Sequence, residues 1–164
     1  MPFRLRRDTR KWFKGLEQNL DLDFDMYYFC LLAGLATGKK ANVGTAETTE
    51  LVDHFPGDYR SRGRVIVALF LSRELRALGI GLTERTKLHD EIAKLVDPLA
   101  SSHLSTEGMN ELNKYSFGGY DVLTEWFDDR PRHLETFLPE FKTRLAQALG
   151  QSTSLADRHQ NLGG

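Results

Sequence analysis

Apolar side chains in this chain recur every three or four residues over most of its length, and no segment sustains the two-residue alternation of a half-buried strand. That pattern confines the fold to packed helices. Trp12, Phe13, Leu16 and Leu20 predict a first helix over 10–20. Tyr27, Leu31 and Leu35, with Tyr28 and Leu32 beside them, predict a second, capped by Asp23 and stopped at Gly38. A short acidic helix is expected over 48–54, closed by Pro56 and Gly57. The most hydrophobic stretch, 59–78, carries Val65, Ile66, Leu69, Phe70 and Leu75 and reads as a central helix. Thr83 is placed to cap a helix ending at Val96, and Ser105 opens another through Met109, Leu112 and Tyr115. Gly118-Gly119 is expected to interrupt that helix, with a short one following over 120–127. A final stripe runs from Leu134 to Leu149, with Pro139 as a kink or restart. The expectation is an all-α, compact single-domain bundle of six to eight helices around a central hydrophobic helix. It covers residues 1–150, begins with a basic N-terminal arm and ends in a flexible polar tail over 151–164.

Composition removes several classes of function. With 40% hydrophobic and 27% charged residues the chain is too apolar for a disordered segment. The longest apolar run, Val65 to Leu71, falls far short of the ~18–20 residues of a membrane span. The positive N-terminus has no apolar stretch behind it, so a secretory leader is not expected and the cytoplasm is the expected location. The single cysteine, Cys30, excludes an internal disulfide and a cysteine-rich zinc site; flanked by Phe29 and Leu31, it reads as a buried structural thiol.

The formal net charge of −1 conceals an asymmetry. Residues 1–14 hold Arg4, Arg6, Arg7, Arg10, Lys11 and Lys14 against one acid, Asp8, for a local +5, and the remaining residues sum to −6. Basic side chains interleaved with Trp12 and Phe13 suit neutralisation of phosphates and stacking on bases, while the same aromatics suit attachment of the first helix to the core. A second cluster, Arg60, Arg62 and Arg64, stands where a helix begins, and helix starts attract anions. Two readings remain open there: contact with DNA phosphates, or neutralisation by Asp58 and the acids of 47–54 as structural salt bridges.

Glu47, Glu50, Asp53 and His54 fall at helical spacing and form the candidate set for a divalent metal, the cofactor a metal-dependent nuclease requires; a solvated acidic helix is the alternative. Asp21, Asp23 and Asp25 lack the glycine and glutamate of a calcium loop. GLATGKK over 34–40 misses the phosphate-loop spacing, and its Lys39 and Lys40 suit a helix C-terminus. His89-Asp90-Glu91 has no nucleophile nearby, and Arg130-Pro131-Arg132 after Asp128-Asp129 reads as a locally ion-paired turn.

The segments ELVDHFPGDYRSRGRVIVALFLSRELRALGI, LVDP, LSTEGMNELNKYSFGGYDVLTEWFDDRP and HLETFL resemble the small accessory proteins of bacterial DNA phosphorothioation cassettes, in particular the nicking subunit of the single-stranded (Ssp-type) branch. The resemblance spans about residues 23 to 145 and is one of overall texture; it brings no catalytic motif to transfer. It implies a DNA-directed protein of antiphage defence that works with other proteins of the modification system, nicking one strand during sulfur insertion. From a different class, a helical adaptor that recruits an enzyme partner without touching DNA fits the same pattern. A large exposed apolar helix face would be its mark.

Overall fold

The computed structural model describes the backbone of residues 1–161, and side chains through Gln151. In order, the chain forms strand β1 (Arg4–Arg6), helix α1 (Arg7–Trp12), a 3-10 segment (Lys14–Asn19), and helix α2 (Asp23–Thr37). A 3-10 turn (Thr45–Glu47), strand β2 (Thr48–Glu50) and a second 3-10 segment (Gly57–Arg62) lead into α3 (Gly63–Ala77). Helices α4 (Arg85–Leu95), α5 (Thr106–Trp126) and α6 (Leu134–Asn161) complete it. The compact, mostly helical domain expected from apolar spacing is present. The expected polar tail begins at Gln151; α6 runs to Asn161, the side chains from Ser152 on and the last three residues lying outside the described residues.

The core is built on α2 against α5, and glycine is the reason. An ideal Cβ at Gly119 would sit 1.6 Å from the Cys30 carbonyl oxygen, and one at Gly34 would sit 2.0 Å from that of Tyr115. The two backbones therefore touch, which no larger residue permits. The expected break at Gly118-Gly119 does not occur: α5 is continuous, because close packing offsets the ~1 kcal/mol that each glycine costs a helix. Tyr27, Cys30, Leu31, Met109, Leu112 and Leu123 fill this interface, all fully buried. Burial pushes the Cys30 thiol well up, so it packs as an inert apolar group.

The expected central helix, α3, lies on the flank instead. It buries Ile66, Val67 and Phe70 but leaves Val65 60% and Leu69 49% exposed. A run of seven apolar residues covers the full circumference of a helix, whereas only one face of α3 meets the body.

The expected acidic helix at 48–54 is also absent. Thr48–Glu50 pairs antiparallel with Arg4–Arg6, with Leu5 opposite Thr49. Backbone bonds from Phe3 N–H to the Val52 carbonyl and from Leu51 N–H to the Phe3 carbonyl, both 2.9 Å, extend the ribbon. Phe3 and Leu5 are buried beneath it, and the Phe3 ring contacts Phe24, Tyr27 and Phe55 at 4.9–5.3 Å. Three residues are too few for an alternation to register in the sequence, so tertiary pairing decides. Local signals elsewhere held in part: Thr83 does not cap α4, whose N-cap is Glu84, and the helix expected over 10–20 divides into α1 and the Lys14–Asn19 3-10 segment. Gly38 ends α2 at φ 72°, and the Ser105 hydroxyl caps α5 by accepting from the Gly108 N–H at 3.0 Å. At the start of α2 the cap shifts by one residue, with the Asp25 carboxylate accepting from the Leu22 N–H at 3.0 Å.

Candidate nucleic-acid interface

The basic residues expected to meet phosphates divide into two sets. Arg4 lies along the ribbon, pairing with Glu50 and donating to the Thr48 hydroxyl at 3.2 Å. Arg6 forks onto Asp8, with Nε to Oδ1 at 3.0 Å and Nη2 to Oδ2 at 2.6 Å. Its Nη1 reaches across to Asp121 at 2.9 Å and to the Phe117 carbonyl at 3.1 Å, and its guanidinium lies 4.5 Å from the centre of the Tyr120 ring. Burial opposes the charge on Arg6, but Asp8 and Asp121 outweigh it and raise its pKa. Arg10 makes a bidentate pair with Asp23, both bonds 2.9 Å. These three arginines bind the N-terminal segment to the fold, and their donors are spent on carboxylates. Arg7, Lys11 and Lys14 are exposed, with no ion pair among the described residues.

Arg60, Arg62 and Arg64 belong entirely to the open set. All three are exposed and unpaired among the described residues, while their backbone is held firmly. Tyr59 packs on Phe24 and Tyr28 at 4.8 and 4.9 Å and donates its hydroxyl to Asp25 at 2.5 Å. Burial, then this carboxylate, raises the Tyr59 pKa, so it remains a donor. Gly63 abuts the Phe55 ring, where an ideal Cβ would stand 2.6 Å away. The first turn of α2 thus tethers both basic segments, Arg10 through Asp23 and the 57–62 segment through Asp25.

The alternative, that local acids neutralise these arginines, fails among the described residues. Glu50 is engaged by Arg4, and Asp53 pairs with His54 at 3.1 Å, an interaction that holds the Asp53 carboxyl below its usual range. The same geometry dissolves the expected metal set. Glu47 ends a 3-10 turn, Glu50 lies in a strand, and Asp53 and His54 follow in a bend, so the helical spacing that would have aligned them does not exist. Among the described residues no three acids, histidines or cysteines stand together to hold a metal ion.

Lys39 and Lys40 are also committed. Lys39 pairs with Glu125 at 2.7 Å, and Lys40 pairs with Glu74 and, at 2.8 Å, with Glu111. Glu74 is buried and accepts the Tyr115 hydroxyl at 2.7 Å, so this network joins the end of α2 to α3 and α5.

Sequence reasoning missed Arg130 and Arg132. The expected pairing with Asp128 and Asp129 is not formed among the described residues, and both arginines are exposed. Their loop presses on the Lys14–Asn19 segment so closely that an ideal Cβ at Gly15 would stand 2.6 Å from the Pro131 carbonyl oxygen. Lys11, Lys14, Arg130 and Arg132 consequently line one hollow. No signal in the chain joins these segments; only the fold does.

No family profile, curated protein or solved structure matches the chain. Among the described residues no helix is long and apolar enough to cross a membrane.

Proposed function

We propose that this protein binds DNA through the phosphate backbone, using Arg60, Arg62 and Arg64 together with Arg7, Lys11 and Lys14. The observation that carries this reading is the division of the cations. Arg4, Arg6 and Arg10 are consumed by carboxylates, whereas these six remain exposed and unpaired among the described residues. Three guanidinium groups on a backbone clamped by Tyr59 and Gly63 suit a polyanion.

The resemblance to phosphorothioation accessory proteins supplies the biological context: a cytoplasmic antiphage modification system whose other proteins are partners and in which one strand is nicked. Conversion of supercoiled plasmid to the nicked form is the assay for that step, and no conversion by the purified protein would remove it. The binding reading is tested by titrating intact, nicked and single-stranded DNA in gel-shift assays across a range of salt. Affinity falling linearly with log salt supports it, and absence of binding at low salt refutes it.

The adaptor reading has its own observation. Val65 and Leu69 are exposed on α3, and Leu69 lines a hollow of about 290 Å³ with Leu32 and Leu35, flanked by Arg73 and Arg76. Loss of partner capture in Leu69→Asp with DNA binding intact would favour it.

A further inference from the structure

Four cations converge on one depression in this protein with a single carboxylate, that of Asp129, among them. Lys11 and Lys14 enter from the N-terminal segment, Arg130 and Arg132 from the loop before α6, and together they line an open hollow of about 450 Å³. Asp129 is its one acidic lining residue, which leaves a local charge of +3. None of the four cations has an ion pair among the described residues. Arg4, Arg6, Arg10, Lys39 and Lys40, by contrast, each find a carboxylate.

Like charges around a concavity repel, and an anion placed among them is attracted by all of them at once. The walls are already in place. Pro131 is buried, its carbonyl lies against Gly15, and Trp12 is held edge-on against Phe13 at 4.8 Å and Phe127 at 5.8 Å. A backbone phosphodiester carries one negative charge; a terminal phosphate carries about 1.5 to 2, and a diphosphate carries more. The charge of +3 matches the latter groups. Two guanidinium forks offer bidentate contacts to phosphate oxygens, and two ammonium groups act as point charges beside them.

We infer that this hollow is a binding site for a terminal phosphate or diphosphate group, held by Lys11, Lys14, Arg130 and Arg132. It extends the role given to Lys11 and Lys14 above, and it stands even if the DNA reading fails, because its first test contains no nucleic acid. Such a group is carried both by free phosphate compounds and by the 5′ end of a DNA strand.

The test is calorimetric titration with inorganic pyrophosphate, paralleled by tryptophan fluorescence, since Trp12 forms part of the wall. Saturable one-to-one binding is expected. Lys14→Gln combined with Arg132→Gln should weaken it at least tenfold, and Arg130→Gln, an exposed change that leaves the packing intact, should weaken it severalfold. Lys87→Gln on α4 should leave it unchanged. Competition by 5′-phosphorylated and 5′-hydroxyl oligonucleotides separates the two sources. A tenfold advantage for the phosphorylated strand assigns the site to strand ends, and equal competition with pyrophosphate binding intact assigns it to free phosphate compounds. No saturable pyrophosphate binding, or affinity unchanged by Arg130→Gln and by the double variant, overturns the inference.

Discussion

Residues 4–10 carry four arginines and residues 60–64 carry three, yet the fold uses most of the first group and all of the second oppositely. Arg4, Arg6 and Arg10 reach Glu50, Asp121 and Asp23 and become internal fasteners. Arg60, Arg62 and Arg64 meet solvent, although Glu47, Glu50 and Asp53 are near in sequence. The difference lies in where the partners come from. Arg6 and Asp121 are 115 positions apart, and Arg4 and Glu50 are 46 apart, so helix packing and strand pairing bring these carboxylates in. Local charge density says how many cations a segment has; only the tertiary arrangement says how many remain for a ligand.

The comparison can be broken first at Arg6. Its side chain is mostly buried and joins Asp8, Asp121 and the Phe117 carbonyl, so Arg6→Ala should lower unfolding stability by about 2 kcal/mol in urea titration. A change below about 0.5 kcal/mol would mean that the N-terminal arginines are not fasteners. The acid response of a second anchored cluster sharpens the contrast. Burial alone would raise the Glu111 pKa, but hydrogen bonds from Lys114 and Lys40 outweigh it and leave it lowered. A lowered carboxyl pKa contributes stability that is present above the unfolded value of about 4.3 and is lost as pH falls through the lower folded value. Urea midpoints between pH 6 and 3 should therefore fall more steeply for the native protein than for Glu111→Gln.

Smaller effects follow at the surface. Arg4→Ala, at an ion pair whose Glu50 side is exposed, should cost less than about 1 kcal/mol. Arg60→Ala, Arg62→Ala and Arg64→Ala should each change stability by no more than about 0.5 kcal/mol, because these side chains touch no carboxylate among the described residues. A loss as large as that of Arg6→Ala would place them among the fasteners.

Much of the fold was legible in the chain because its signals are local. Four-residue spacing marks α2, Gly38 stops it in the left-handed region, and Ser105 caps α5 through its hydroxyl. What was not legible depends on neighbours distant in sequence. Gly118-Gly119 reads as a break until α2 is seen lying against it, and Thr48–Glu50 has no strand pattern until β1 supplies a partner. Hydrophobicity alone placed α3 at the centre, since composition does not reveal which part of an apolar surface is covered. The candidate site was half legible. Arg60, Arg62 and Arg64 stand out by type and spacing, but the loss of Arg4, Arg6 and Arg10 to carboxylates, and the arrival of Arg130 and Arg132 beside Lys14, are products of topology.

The salt dependence of DNA affinity tests the central claim most directly. Each phosphate contact contributes about 0.7–0.9 to the slope of log affinity against log salt. Replacing Arg60, Arg62 and Arg64 together by alanine should weaken binding and make that slope shallower by about 2 to 3, with the urea midpoint nearly unmoved. An affinity and slope identical to those of the native protein would contradict the account and remove these arginines from the interface.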